Sequence, residues 1–275
     1  MSEFHRGVSD VFRRVALSVG ERPVPLVLKP ASASVAAQPM TVRLASNDDE
    51  RSAASMLLNR MYSRRGYGSN HRLPSHQSSA SFSASVGEQV IGTLTLTVDS
   101  PDGLSLDRTF VDELSFFRSP DAKICELTKL AFAVNGFSMP YLAALFHIIF
   151  IFGTRKHNCT DLFIEVHPRH VKFYQAMLRF TAIGEVKINE QVNAPAQLMW
   201  LKIADLRQLI DEHAGNAGGS TRTLYRHFYS PMEECGIYER LFGNDGTHLE
   251  ITDAITTACQ VVPEFAQGTG LTAIL

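Results

Sequence analysis

The sequence predicts a mixed α/β fold, and three observations carry that expectation. Residues 82–98 alternate apolar and small polar side chains on either side of Gly87-Glu88, the pattern of an antiparallel hairpin. Ile124 to Val134 is apolar enough for a buried strand, and Leu162 to Val166 reads the same way. Between them, Pro140 to His157 is apolar almost all round, as in a helix buried on more than one side. Strand, helix and strand in that order make part of the sheet parallel, with a right-handed crossover.

The elements follow in chain order. Val8 to Leu17 has the spacing of a short amphipathic helix, Pro23, Pro25 and Pro30 then forbid regular structure, and Ala31 to Ser34 reads as a linker. Residues 1–40 are therefore expected to be an extension. Thr41 to Leu44 is a short strand. Asn47 with Glu50 three residues on is a capping box for a helix striped by Ala54, Leu57, Leu58 and Met61, which Gly66 to Gly68 end. Ser75 to Ser81 reads as a loop. The hairpin after it is expected to keep one face wet, with Thr93, Thr95 and Thr97 on that face. The stretch with Pro101, Gly103 and Pro120 shows no regular pattern. Ser138 is placed to cap the apolar helix, with Pro140 in its first turn. Pro168 opens a further helix, with Val171, Tyr174, Met177 and Leu178 at helical spacing. Ile183 to Ile188 and Gln197 to Ile203 are paired strands, and Ala204 to Ala214 is a closing helix. Gly215, Gly218 and Gly219 mark a boundary, so residues 41–214 form the main domain and 215–275 an extension with helices at Tyr225 to Phe242 and Ile251 to Val261.

Composition narrows the function. With 45% hydrophobic and 20% charged residues the 275-residue chain is globular, and a net charge of −2 gives no basic field for nucleic acid. Four scattered cysteines without a Cys-x-x-Cys fit reduced thiols in a cytoplasmic protein. The most apolar run, Tyr141 to Phe152, carries His147 and is too short to span a bilayer, and no secretion signal is recognisable at the N-terminus. Peripheral contact with a membrane surface stays open. No metal is expected: His157, Cys159, His167 and His170 match none of the common zinc spacings. No phosphate-binding glycine loop and no Gly-x-Ser-x-Gly elbow is present.

Three segments remain as candidates for chemistry. In Cys125 to Val134, period two puts Glu126, Thr128 and Leu130 on one face and Leu127, Lys129 and Ala131 on the other. A carboxylate in so apolar a strand needs a partner, so Glu126 is either an ion-pair member or a site residue. In Phe163 to Tyr174, a strand runs into a helix start carrying Arg169, His170 and Lys172, fit for an anion or simply solvated. Leu58 to Tyr67 is a basic helix end, which the helix dipole alone explains.

Together these segments resemble the GNAT acyltransferase superfamily, and within it the bacterial long-chain N-acyl amino acid synthases, relatives of the acyl-homoserine-lactone synthases. Glu-Leu-Thr-Lys-Leu-Ala-Phe-Ala-Val (Glu126 to Val134) is the most specific match. Arg60-Met61-Tyr62-Ser63-Arg64-Arg65-Gly66-Tyr67, His167 to Leu178 with Ile183-Gly184, and Asn193-Ala194-Pro195-Ala196 are similar as well, and so is Leu104 to Arg118. The resemblance covers Thr41 to Leu206. It implies a GNAT-like, mostly antiparallel sheet with helices on both faces and a splayed parallel strand pair. It implies an N-acyltransferase that moves a long-chain fatty acyl group from acyl carrier protein (ACP) to the α-amine of an amino acid. Glu126 would orient or deprotonate the ammonium. Tyr174 would protonate the leaving thiolate, unless it is a plain core aromatic. The backbone of Leu130, Ala131, Phe132, Ala133 and Val134 would bind pantetheine, with Lys129 and Arg169, joined by Arg155 and Lys172, toward phosphate or ACP. Arg60, Tyr62 and Glu165 would bind substrate.

Acetyl-CoA-dependent relatives carry a glycine-rich loop with a basic entry residue where this chain reads Asn135-Gly136-Phe137-Ser138-Met139-Pro140. That departure favours acyl-ACP over acyl-CoA, so acyl-phosphopantetheine is expected as a co-substrate and no cofactor as tightly bound. Two alternatives stand beside this reading: a lactone-synthase-like enzyme, disfavoured because Gly68 to Gln77 holds neither Trp nor acid, and a non-catalytic acyl-chain-binding module.

Overall fold

The computed structural model describes residues 40–133, 138–216, 222–242 and 249–251. Its strands are β1 (Met40–Leu44), β2 (Ser79–Val86), β3 (Gln89–Val98), β4 (Ile124–Phe132), β5 (Asp161–Val166), β6 (Thr181–Asn189), β7 (Ala194–Lys202) and β8 (Leu249–Ile251). Its helices are α1 (Asp48–Ser63), α2 (Asp107–Ser115), α3 (Met139–His157), α4 (Val171–Leu178), α5 (Ile203–His213) and α6 (Pro231–Phe242), with 3-10 turns at Pro168–His170 and Leu224–His227. The strands form one mixed sheet in the order β6-β7-β5-β4-β3-β2-β1-β8. Neighbours are antiparallel except β4 and β5, which α3 connects. The mixed α/β expectation and the parallel pair are both present.

Local signals worked where side chains act on their own backbone. Asn47 accepts the Glu50 N–H at 2.9 Å, and Ser138 accepts the Tyr141 N–H at 3.3 Å. The reciprocal arm of the box differs, since Glu50 reaches back to the N–H of Ser46 and not to that of Asn47. Helix α1 buries Ala54, Leu57, Leu58 and Met61, and α3 buries every residue from Leu142 to Gly153. Asn158 ends α3 in the left-handed conformation at φ +54°.

Four expectations are corrected. The Ser-rich loop ends at Ser78, because Ser79 and Ser81 already pair with Thr97 and Thr95. The threonine face of the hairpin is dry: Thr93, Thr95 and Thr97 are buried, and Thr95 and Thr97 exchange hydroxyl hydrogen bonds with Ser81 and Ser79. The patternless stretch contains α2, whose Phe110 and Leu114 are buried four residues apart. Ile251 ends a strand and does not open a helix. The remaining expectations for Val8 to Leu17, Val134 to Phe137, Gly218, Gly219 and 252–261 lie outside the described residues.

Helices cover both faces of the sheet. Helix α2 reaches the face of Glu126, while α3 lies on the face of Leu96, where its Phe152 ring meets Phe82 edge-on at 5.3 Å. Residues 222–242 pack onto this second layer. Leu224, Tyr225, Phe228 and Ile237 join the main core, and the Tyr225 hydroxyl donates to the Leu178 carbonyl at 2.5 Å.

Candidate functional site

The site is set by where β4 and β5 part. Their parallel ladder runs from Ile124 opposite Asp161 to Leu127 opposite Ile164. Beyond it β4 continues to Phe132 and β5 to Val166, so a gap opens at the last paired residues. Just past Leu127, β4 carries a bulge: Thr95 faces Thr128 and Thr93 faces Ala131, three steps against two. Lys129 takes up the extra residue with φ +59°, a conformation most non-glycine residues avoid. The bulge corrects the face assignment. Residues directly opposite share a face, so Glu126, Thr128 and Ala131 look one way, and Leu130 turns to the face of Leu127. Gly92 is required opposite Phe132, because a Cβ there would lie 2.8 Å from the ring. Of the stretch expected to bind pantetheine, Leu130, Ala131, Phe132 and Ala133 are buried along this part of β4, and Val134 is outside the described residues.

Two carboxylates sit on one face beside the gap. Glu126 is 2% exposed, and both its oxygens are occupied. Oε1 accepts the Ser105 N–H at 3.0 Å and the Ser105 hydroxyl at 2.8 Å, and Oε2 accepts the Leu106 N–H at 3.1 Å. These donors lie in the turn entering α2, whose unpaired N–H groups need acceptors. Burial pushes the Glu126 carboxyl up, against the pull of Ser105 and Leu106. Glu165 lies two residues beyond Phe163, the register partner of Glu126, and is 5% exposed. Its Oε1 accepts from the Asn189 amide at 2.5 Å, and among the described residues no donor reaches Oε2. Burial, with added repulsion from Glu126, raises its pKa to about 7 against the lowering effect of Asn189.

Aromatic and basic groups frame the gap. Tyr174 on α4 is fully buried, and its hydroxyl has no hydrogen-bond partner among the described residues. Burial first, then the nearby Tyr62, push its pKa far up, so it stays protonated. Tyr62 is buried at the end of α1 and packs edge-on against Tyr67 and His71. The loop after α1 is strapped to that helix: Asn59 donates to the His71 carbonyl at 2.8 Å and accepts its N–H at 2.6 Å. Arg51 bonds the Leu73 and Pro74 carbonyls. From this strap the Tyr67 hydroxyl meets the Arg169 guanidinium at 3.2 Å, linking α1 to the turn before α4. Arg169 also donates to His170 Nε2 at 3.1 Å; burial and then Arg169 lower that histidine to about 4, which keeps it neutral. Burial likewise lowers the Lys129 ammonium, with Glu126 opposing and Arg108 assisting.

Glu126, Glu165, Lys129, Tyr62, Tyr174 and Arg169 are thus linked in one network: Glu126 acts on Glu165 and Lys129, Lys129 on His71, the Tyr62 ring meets His71 and lies near Tyr174, and Arg169 joins through Tyr67. Arg60 is not: it is exposed on α1, and no side-chain contact joins it to this group among the described residues. Pattern reading missed Ser105, Leu106, Asn189 and His71. Leu104-Ser105-Leu106-Asp107 ahead of Phe110 and Leu114 is a helix start that could have exposed the first two, whereas nothing local marks Asn189. On the opposite face an apolar cavity of about 20 Å³ lies under the ladder, lined by Cys125, Leu127, Phe146, Phe150, Leu178 and Phe228 among others. It has room for about one water molecule and no polar wall to hold it. Among the described residues no group of His, Cys, Asp and Glu could hold a metal ion, and no helix is long and apolar enough to cross a membrane.

Comparison with known proteins agrees with this architecture. Residues 53–202 match the family model described as N-acyl amino acid synthase FeeM. The structure of FeeM, an N-acyl amino acid synthase from uncultured soil microbes, superposes with a TM-score of 0.58 at 26% identity, covering 62% of this chain and 96% of FeeM. An acyl-CoA N-acyltransferase from Pseudomonas aeruginosa aligns at 13% identity and TM-score 0.44, over 60% of this chain and 99% of its own. The AHL synthase LasI aligns at 12% and 0.44, over 61% and 91%. No curated protein matches the sequence. The family match spans more than half the chain and includes the bulged strand, both carboxylates and the tyrosine helix, so the chain belongs to the FeeM family of N-acyl amino acid synthases and is an N-acyltransferase.

Proposed function

We propose that the protein transfers a long-chain fatty acyl group from acyl-ACP to the α-amine of an amino acid. The observation that carries the reading is the gap between β4 and β5 with two buried carboxylates on one face, together with the buried Tyr174, whose hydroxyl has no hydrogen-bond partner among the described residues. Pantetheine lies along β4 from Leu130 toward Val134, in the place an additional strand would take. The amine attacks the thioester carbonyl, the C–N bond forms and the C–S bond breaks. One proton of the ammonium goes to a carboxylate of the Glu126/Glu165 pair, and Tyr174 supplies the proton that the departing thiolate needs. Lys129 faces the acceptor's carboxylate, and Arg169 with Lys172 faces the acidic carrier or its phosphate. The absence of repeated glycines in Asn135 to Pro140 favours a carrier-bound donor over a CoA donor. This reading places the reaction in the cytoplasm, consistent with free thiols at Cys125 and Cys159.

Incubation with palmitoyl-ACP and mixed amino acids, followed by mass spectrometry, tests the reading. N-acyl amino acids are the expected product. A homoserine lactone formed from S-adenosylmethionine, or no product with any acceptor, overturns it.

A further inference from the structure

We infer that Glu165, through its unbonded Oε2, is the group that takes the ammonium proton, and that Glu126 is a positioning residue that fixes α2 over the acceptor. The inference deepens the proposed function and rests on it. Its basis is the unequal wiring of two carboxylates on one face. Glu126 spends both oxygens on the Ser105 and Leu106 donors, so its lone pairs point into the entrance of α2. Taking a proton there would weaken the hydrogen bonds that hold the helix start. Among the described residues Glu165 has one hydrogen-bond partner, Asn189, on one oxygen. It stands in the part of β5 beyond the ladder, where the strand has left β4, and is nevertheless 5% exposed. A buried carboxylate with a vacant oxygen at a gap is a preorganised proton acceptor.

The charges around Glu165 fit the role. Glu126 on β4 is the like charge acting on it, and Asn189 on β6 is a neutral donor. Lys129 at the bulge and Arg108 on α2 act on each other, and Glu126 acts on Lys129. On the α2 and β6 side, Lys187 is already paired with Glu113 at 2.7 Å. Leu198, opposite Glu165 on β7, and Phe163, two residues before Glu165 on the same face, are apolar. Among the described residues no cation is paired with Glu165, and its pKa of about 7 lets it accept a proton near neutrality. The step balances: R–NH3⁺ gives one proton to Oε2, which becomes a carboxylic acid, and the free amine attacks the thioester carbon. The C–S electron pair leaves with sulfur, and the second amine proton replaces the one Tyr174 gives to the thiolate. Glu165 then returns its proton to water.

The test measures kcat against pH for the full chain with palmitoyl-ACP and an amino acid. The wild type is expected to rise through an inflection near 7. Glu165→Gln, nearly isosteric, is expected to lose the inflection and about 100- to 10,000-fold in kcat. With an aminooxy acid, whose nitrogen is unprotonated at neutral pH, most of that loss is expected to disappear. Glu126→Gln is expected to keep the inflection. Should Glu165→Gln fail to fold, Asn189→Ala carries the test: losing the amide that lowers Glu165 moves the inflection to higher pH. An unmoved inflection in Asn189→Ala, a wild-type profile in Glu165→Gln, or loss of the inflection in Glu126→Gln alone overturns the inference. A wild-type protein that makes no N-acyl amino acid overturns the proposed function instead.

Discussion

Glu165 at the gap and Glu234 on α6 are buried to the same degree, 5% and 4% exposed, yet their surroundings pull them opposite ways. Glu234 accepts from His147 Nε2 at 2.8 Å, and Arg207 Nη1 meets both its oxygens at 2.7 and 2.8 Å. Burial alone would raise it, but His147 and Arg207 hold it below the usual carboxylate range. Glu165 has an amide and a like-charged neighbour, and burial wins. At similar exposure the two acids shift in opposite directions, and the His147 and Arg207 partners of Glu234 account for its lowering. Full pairing makes a clamp; partial pairing makes a proton acceptor.

The clamp joins residues 222–242 to the enzyme core. His147 sits in the middle of α3, stacked on Phe228 at 4.5 Å, and its Nδ1 accepts the Tyr229 N–H at 2.9 Å. That bond fixes the neutral tautomer with the proton on Nε2, directed at Glu234. Removing one partner strands the others, so Glu234→Ala is expected to cost the most here. The loss is roughly 2–4 kcal/mol, below the usual cost of breaking a fully buried pair because Arg207 is about one-third exposed. Urea denaturation at neutral pH measures it. The clamp is also acid-labile by sign. The folded state holds both His147 and Glu234 below their free values, so the unfolded chain binds the extra protons. Stability is expected to fall as pH drops below 6.5 and further as Glu234 protonates; Glu234→Ala is expected to lose the second fall and keep the first, because Glu234 raises His147.

At the gap the same reasoning gives the reverse sign. Glu165 has a folded pKa raised to about 7 from 4.5, so its ionised form opposes folding. That opposition is absent below 4.5, grows between the two values and is complete above 7. Glu165→Gln is therefore expected to stabilise the protein at pH 8 by roughly 1–3 kcal/mol, and to do nothing at pH 4. Thermal unfolding at both pH values distinguishes the cases. A destabilised Glu165→Gln at pH 8 would place Glu165 with the clamp residues. Tyr174→Phe belongs to the same contrast. It removes a buried hydroxyl without a hydrogen-bond partner among the described residues, so stability should hold or rise by about 1 kcal/mol while kcat falls. A loss of stability with unchanged kcat would make it an ordinary core aromatic.

What was legible in the sequence follows a physical line. Elements whose signals lie within one turn or one strand were readable: the Asn47 and Ser138 caps, the stripe of α1, the dry helix α3 and the hairpin. So was the odd carboxylate at Glu126, because its neighbours along the strand are apolar. What failed depended on residues distant in sequence. Period two cannot foresee a bulge at Lys129, so it assigns Leu130 to the face of Glu126 when the bulge turns it to that of Leu127. Thr95 and Thr97 of β3 look like a wet face until Ser81 and Ser79 satisfy them across the strand pair. Helix α2 lacks a side-chain cap of its own because Glu126, twenty residues on, supplies the acceptor. The gap itself comes from register: no residue marks where two strands stop pairing.

The smallest expected effect probes the wire between the two carboxylates. Ser105→Ala removes one of three donors to Glu126, the 2.8 Å hydroxyl, and leaves the backbone N–H on the same oxygen. The cost should be about 1 kcal/mol, since the oxygen keeps a partner. The consequence for Glu165 has a definite direction. With one hydrogen bond fewer, Glu126 is raised further, so its charge acts on Glu165 over a narrower range of pH. The inflection of kcat is therefore expected to move to slightly lower pH in Ser105→Ala, opposite to its movement in Asn189→Ala. A shift upward, or the same shift in both variants, would mean that the two acids do not feel each other across the strands, and the carboxylate pair would reduce to two independent groups.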